Sequence, residues 1–281
     1  MVENRPWLAV LTHIVLIFGV LLMFFPIYLV FVASTHTLAD VINVPMPLLP
    51  GSHLWENYRR ALTEGAKALG APVGVMLLNS MIMAVGIAVG KIGISLLAAF
   101  AVVYFQFRFR LFFFWMIFIT LMLPVEVRIL PTYKVIADLH LLDSYTGLIL
   151  PLVASATATF FFRQFFLSIP DEIVEAARVD GAKPLRFFVD ILIPMSRTSI
   201  AAMFVILFIY GWNQYLWPLL ITTKEEYYTL LIGINRMLAV GDQQAEWQVI
   251  MATTLLAMLP PVLVVISMQR LFIRGMTESE K

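Results

Sequence analysis

Cysteine is absent from these 281 residues, which excludes disulfides, thiolate metal ligands and thiol nucleophiles. Charge is scarce too. Only 13% of the residues are Asp, Glu, Lys or Arg, against about a quarter in an ordinary soluble domain. The net charge of +1 supplies no basic face for nucleic acid. Histidine is limited to His13, His36, His53 and His140, too scattered to suggest a metal site. A membrane-embedded enzyme would need His, Asp, Glu or Ser groups converging at one depth, and the sequence has no such cluster.

What fills the chain instead is apolar: 61% of residues are hydrophobic and the mean hydropathy is +0.89. That excess needs lipid to cover it. The first apolar run, Leu8 to Val32, is too long for a signal peptide and lacks a small-residue cleavage site after it, so it reads as a retained helix. Backbone polar groups in hydrocarbon must be satisfied internally, so each apolar stretch of about 20 residues is taken as a helix. Six spans are predicted: Leu8 to Val32, Val75 to Tyr104, Leu111 to Leu130, Leu148 to Leu167, Thr198 to Thr222 and Gln248 to Phe272.

Lysine and arginine in the short loops set the orientation. One side carries Arg5, Arg108, Arg110, Arg163, Arg178, Lys183, Arg186, Arg197, Arg270, Arg274 and Lys281; the other carries Arg59, Arg60, Lys67, Arg128, Lys134, Lys224 and Arg236. The richer side is taken as cytoplasmic, which puts both termini inside. Between the first two spans, Pro45, Pro47 and Pro50 argue against a further span, and the polar run from His53 to Lys67 suits a short surface helix. The predicted organisation is an N-terminal helix with a periplasmic loop (1–74), a five-helix core (75–272) and a cytoplasmic tail (273–281).

Pro26, Pro124, Pro218, Pro260 and Pro261 fall inside spans, where they remove backbone donors and permit kinks. Gly86, Gly90 and Gly93 give the small-residue spacing that lets membrane helices approach closely.

The longest cytoplasmic connection, residues 168–194, reads SIPDEIVEAARVDGAKPLRFFVDILIP. Ser168 with Asp171 three residues on resembles a capping box, and Pro170 is tolerated at a helix start. A short helix is expected through Glu175, Ala176 and Ala177, ending at Asp180 and Gly181, where glycine can take the left-handed conformation of a helix stop. The alanine pair would leave a low-profile face for a partner, rimmed by charge. Pro184 can open a second short helix, and Pro194 marks the start of the fifth span.

Glu175-Ala176-Ala177, Asp180-Gly181, Ile191 and Pro194 together resemble the EAA motif of binding-protein-dependent ABC importer permeases. The resemblance implies an all-α integral membrane protein of six transmembrane helices with the type I ABC importer (MetI-like) permease fold. It implies that Glu175, Ala176, Ala177, Asp180 and Gly181 couple to a cytoplasmic ATPase. The implied partners are a homologous second permease subunit, two copies of that ATPase subunit and a periplasmic substrate-binding protein. The chain would bind no cofactor and would not be an enzyme, with ATP and Mg held by the ATPase partner. Its nearest Walker-like string, Gly86 to Ile92, is one spacer short, lacks the Ser or Thr and lies inside a span.

Tyr210 to Leu219 (YGWNQYLWPL) and Pro131 to Pro151 resemble the carbohydrate branch of these permeases. Over nearly the whole chain, including Phe113 to Thr132 and Ser155 to Phe166, the likeness is to second permease subunits of sn-glycerol-3-phosphate importers, located in the bacterial inner membrane. A phosphate-bearing substrate needs cationic or hydrogen-bonding groups on its path. The candidates are Lys91, Glu126 and Arg128, with Asn79, Asn213 and Gln214 as uncharged polar groups at span edges; each also has a plainer role in pairing or helix packing. Glycerophosphodiesters as further cargo, and another sugar or polyol in place of glycerol-3-phosphate, stay open. An ion-coupled secondary transporter is the rival of another class, and it leaves the Glu175 to Pro194 pattern unexplained.

Overall fold

A computed structural model describes residues 6–65, 71–120, 125–239 and 245–278. Among the described residues there is helix and loop but no strand. The elements are α1 (Pro6–Ser34), α2 (Leu38–Ile42), α3 (Leu54–Thr63), α4 (Val73–Tyr104), α5 (Arg110–Ile119), α6 (Val125–Asp138), α7 (Tyr145–Ile149), α8 (Ala156–Leu167), α9 (Asp171–Val179), α10 (Pro184–Phe187), α11 (Ile193–Met195), α12 (Arg197–Trp212), α13 (Leu216–Ile221), α14 (Leu230–Leu238) and α15 (Trp247–Glu278).

Three stretches are long and apolar enough to cross a membrane as single helices: Val10–Ser34, Val73–Tyr104 and Trp247–Gln269. Two further apolar helix pairs, each a broken span or a re-entrant loop by length and composition, are bent at a break: Tyr145–Leu152 with Ala156–Leu167 at 52° and Pro184–Met195 with Arg197–Trp212 at 73°. The predicted span Leu111 to Leu130 is described except at 121–124. Helix α5 ends at Ile119 and α6 begins at Val125; Pro124, expected to kink this span, lies outside the described residues, as do 279–281 of the tail. The fifth span differs from expectation. Pro194 does not open it cleanly, because a proline lacks the donor owed to the carbonyl four residues back and crowds it. The preceding turn widens into a π-helix at Phe188–Leu192, and the direction changes at Ser196.

The chain divides into two compact units, one of residues 1–75 and 233–258, the other of 76–232 and 259–281. In the first, α1 is exposed over residues 10–26 apart from half-buried Gly19, as suits a lipid-facing helix, and is buried at Val32, Ala33 and Ser34. Its end is tied to the following loop. Asn57 donates to the carbonyls of Ser34 and His36 at 2.9 Å each, Thr35 Oγ1 accepts from the Gly51 amide at 2.7 Å, and Arg60 pairs with Glu246. The expected surface helix after the proline loop is α3.

The second unit has a core of Met83, Ile87, Ile129, Ile136, Leu148, Trp217 and Ile221. Trp217 donates its indole hydrogen to the Gly147 carbonyl at 3.2 Å, satisfying the polar atom of an otherwise buried ring. Two of the three spaced glycines in α4 are tight contacts. A Cβ at Gly86 would come within 2.6 Å of Ile149, and one at Gly90 within 2.6 Å of Val153. Gly93 has open space around it. Gly211 in α12 meets main chain instead: a Cβ there would lie 2.9 Å from the Ala84 backbone.

Candidate functional site: a docking loop and a cationic cavity

The loop of residues 168–194 contains a short helix with a fixed stop. Helix α9 begins after Pro170, without a side-chain cap. Ser168 does not close the expected capping box; its hydroxyl donates to the Phe165 carbonyl at 2.7 Å, finishing the previous helix instead. At the other end Gly181 has φ +71°, its amide bonds the Arg178 carbonyl at 3.0 Å, and the Ala182 amide bonds Ala177 at 2.9 Å. These paired bonds form a Schellman stop, which depends on glycine at the left-handed position. Nothing lies within 4 Å of where a Gly181 Cβ would be, so conformation rather than space selects glycine here.

Glu175, Ala176, Asp180 and Gly181 are exposed, while Ala177 is buried. The alanine pair therefore does not share one face, since helical neighbours point about 100° apart. Ala176 faces outward and Ala177 faces a cavity of about 240 Å³, lined also by Phe100, Tyr104, Val174, Pro184 and Phe187. Two apolar residues that the sequence reading passed over flank the stop, Val179 at 87% and Leu185 at 69% exposed. Their signal in the sequence was position alone, one on each side of Asp180-Gly181.

The polar candidates within the spans separate into two groups. Lys91 and Arg128 come together on one cavity of about 430 Å³, with Ile117, Thr120, Ser155, Thr157, Thr159 and Tyr210. Lys91 is only 7% exposed, and its ammonium sits 3.8 Å from the centre of the Tyr210 ring. Among the described residues no carboxylate pairs with either cation. The side chain of Glu126, in α6, lies outside the described residues. Tyr210 and the hydroxyls at 155, 157 and 159 were not singled out in the sequence. Their trace is the SATAT string, polar groups repeated at the start of an apolar span.

Asn79 is elsewhere and fully engaged. It donates to the carbonyls of Glu226 and Tyr228 at 2.7 and 3.0 Å and accepts from the Tyr145 hydroxyl at 2.7 Å. Beside it, Ser80 Oγ accepts from the Leu230 amide at 2.8 Å. Gln214 donates to the Tyr210 carbonyl one turn back at 3.2 Å, and Asn213 is the exposed C-cap of α12. None of the three lines the cationic cavity.

Outside the spans, Asp143 clamps the loop after α13. It accepts from the Thr223 and Lys224 amides at 2.6 and 3.0 Å and from the Thr223 hydroxyl at 2.6 Å. Partial burial pushes its pKa up, but the bonds from Thr223 and Lys224 outweigh this and hold the carboxyl below its ordinary value.

Residues 91–278 match the family described as binding-protein-dependent transport system inner membrane component. The chain belongs to this family. It is 58% identical, over the full length of both chains, to the sn-glycerol-3-phosphate transport system permease protein UgpE of Agrobacterium fabrum, and 57% identical over the full length to the protein of that name in Escherichia coli K12. Its fold matches a chain from the crystal structure of a bacterial ABC transporter involved in import of the acidic polysaccharide alginate, with TM-score 0.81, covering 96% of this chain and 98% of that one at 21% identity. The fold is thus the all-helical type I importer (MetI-like) permease fold, and this family member is a multi-pass protein of the inner membrane.

Proposed function

We propose that this chain is a permease subunit of an ABC importer for sn-glycerol-3-phosphate, moved into the cytoplasm at the expense of ATP hydrolysed by a partner. The complex comprises a homologous second permease subunit, two copies of a cytoplasmic ATPase subunit and a periplasmic substrate-binding protein. The chain itself catalyses no reaction and binds no cofactor; ATP and Mg belong to the ATPase. Both termini are cytoplasmic, and residues 168–194 face that side. The names of the full-length relatives support the substrate.

The observation that carries the reading is the Schellman-stopped helix α9. It presents Glu175, Ala176, Asp180 and Gly181 outward with Val179 and Leu185 as apolar anchors, while Ala177 seats the helix on the aromatic wall beneath. ATP binding draws the two ATPases together and carries α9 with them. Because α9 leads through the π segment into α12, its displacement reaches the membrane interior, where the accessible side of the pathway switches. Lys91 and Arg128 serve that pathway. Asn79, already holding two carbonyls and a tyrosine, braces the frame.

The test is ATP-dependent uptake by proteoliposomes containing the whole complex. Accumulation of sn-glycerol-3-phosphate, with no accumulation of maltose, is expected. Uptake without ATP, driven by an ion gradient, would overturn the importer reading in favour of a secondary transporter; maltose uptake would overturn the substrate.

A further inference from the structure

Two cations, Lys91 and Arg128, face one cavity within a membrane protein, where charge left without a counter-ion is penalised by the lipid environment. Such an arrangement persists when a mobile anion supplies the balance. The cavity adds a second, independent feature. Helix α8 opens into it: Ser155 is the N-cap, its hydroxyl taking the Ala158 amide at 3.2 Å, and Thr159 makes the first intrahelical bond, to Ser155 at 3.1 Å. The Ala156 and Thr157 amides thus belong to the uncapped part of the first turn, and both residues line the cavity. The positive end of a helix dipole and its first-turn amides favour an anion there.

Lys91 is held rather than dangling. It is 93% shielded, and its ammonium lies over the Tyr210 ring at 3.8 Å from the centroid. Arg128 is exposed and comes from α6, so the cavity has one cation set in the wall and one at its edge. A volume of about 430 Å³ lies within the range of small-ligand sites, roughly 300–1,000 Å³.

We infer that this cavity is the phosphate subsite of the translocation pathway. The Lys91 ammonium and the α8 amides of Ala156 and Thr157 receive the phosphoryl oxygens, Arg128 draws the anion in, and the Thr120 and Thr157 hydroxyls are placed for the glycerol end. This inference rests on the importer reading above and adds to it where in this chain the cargo's charge is held. A neutral sugar would meet the same cavity with both cations uncompensated, so the site also selects against uncharged cargo.

The experiment uses the assembled importer in proteoliposomes and initial rates of sn-glycerol-3-phosphate uptake. Lys91→Gln and Arg128→Gln should each lower uptake by about tenfold or more, the worth of one charge-assisted hydrogen bond; Lys91→Arg should stay within about threefold of wild type because it keeps the charge. Thr157→Asp supplies the decisive arm. A carboxylate in the first turn favours helix α8, so the complex should assemble with its ATPase, yet the added negative charge should abolish uptake. Wild-type rates in Thr157→Asp or Lys91→Gln, with the wild-type complex active, would overturn the subsite and leave the importer standing. A wild-type complex that moves no sn-glycerol-3-phosphate would overturn both.

Discussion

The two ends of the unit formed by residues 76–232 and 259–281 are held together by different chemistry. At the end carrying Asp143, Tyr145 and residues 223–230, Asn79, Ser80 and Asp143 hold the chain by short hydrogen bonds to named carbonyls and amides. At the docking end, α9 and α10 rest on rings. Phe100 lies 4.8 Å from Phe188, Tyr104 lies 5.3 Å from Phe187 and 6.0 Å from Phe166, and a cavity remains between them. Hydrogen bonds are directional and costly to leave unmade when buried; ring contacts tolerate several geometries at similar energy. One end is therefore fixed mainly by directional bonds, and in the proposed mechanism the other, packed mainly on rings, is the mobile one.

The largest effect should come from breaking the mobile end. Gly181→Val forces a β-branched side chain to φ +71°, where the left-handed region costs it about 1–2 kcal/mol or more, and it puts bulk at the centre of the docking surface. Uptake should fall to background and the ATPase subunit should no longer co-purify; wild-type uptake would refute the docking role. Next comes the anchored end. Asn79→Leu leaves the Glu226 and Tyr228 carbonyls without their donor inside the protein, at about 2–4 kcal/mol. The purified complex should melt several degrees lower, while uptake per assembled complex changes far less than with Gly181→Val. If transport collapses with stability unchanged, Asn79 contacts the cargo instead.

Between the two ends, glycine contacts grade the response. Gly211→Ala pushes a methyl against the Ala84 backbone and should destabilise by about 1–3 kcal/mol, whereas Gly86→Ala meets the flexible tip of Ile149 and should cost less. Equal losses in thermal melting would mean that Ile149 cannot move aside. The smallest effect is at Asp143. Its folded pKa is lowered, so its contribution is present above the unfolded value of 3.8 and is lost as the pH falls through and below it. Asp143→Asn should lower the melting temperature slightly at neutral pH and flatten that acid limb.

Much of this frame was legible in the chain. Hydropathy placed α4 to within two residues, Val75 against Val73 at the start and Tyr104 at the end, because a long apolar run in lipid has one backbone solution. Gly181 announced the stop of α9, since few residues other than glycine end a helix that way. What escaped depended on partners without a sequence signature. Asn79 is bound to main-chain carbonyls, which any residue supplies, so its bracing role leaves no trace. Lys91 and Arg128 reach one cavity from α4 and α6, and hydropathy does not encode the packing of those two elements. Ala177 was misplaced on the partner-facing side because the motif was read as a string rather than around the helix.

The 73° turn between Pro184–Met195 and Arg197–Trp212 changes the kind of movement that can pass through it. A straight rod would deliver a push from the docking end as a push. A bell crank converts it to rotation, and the long arm of this one is α12, about 24 Å from Arg197 to Trp212. Tyr210 sits near the far tip, with the Lys91 ammonium on its ring. A few degrees of swing at Ser196 become an ångström or more of travel at that aromatic plate, enough to slide it across the ammonium it supports and to alter the reach of the charge into the cavity.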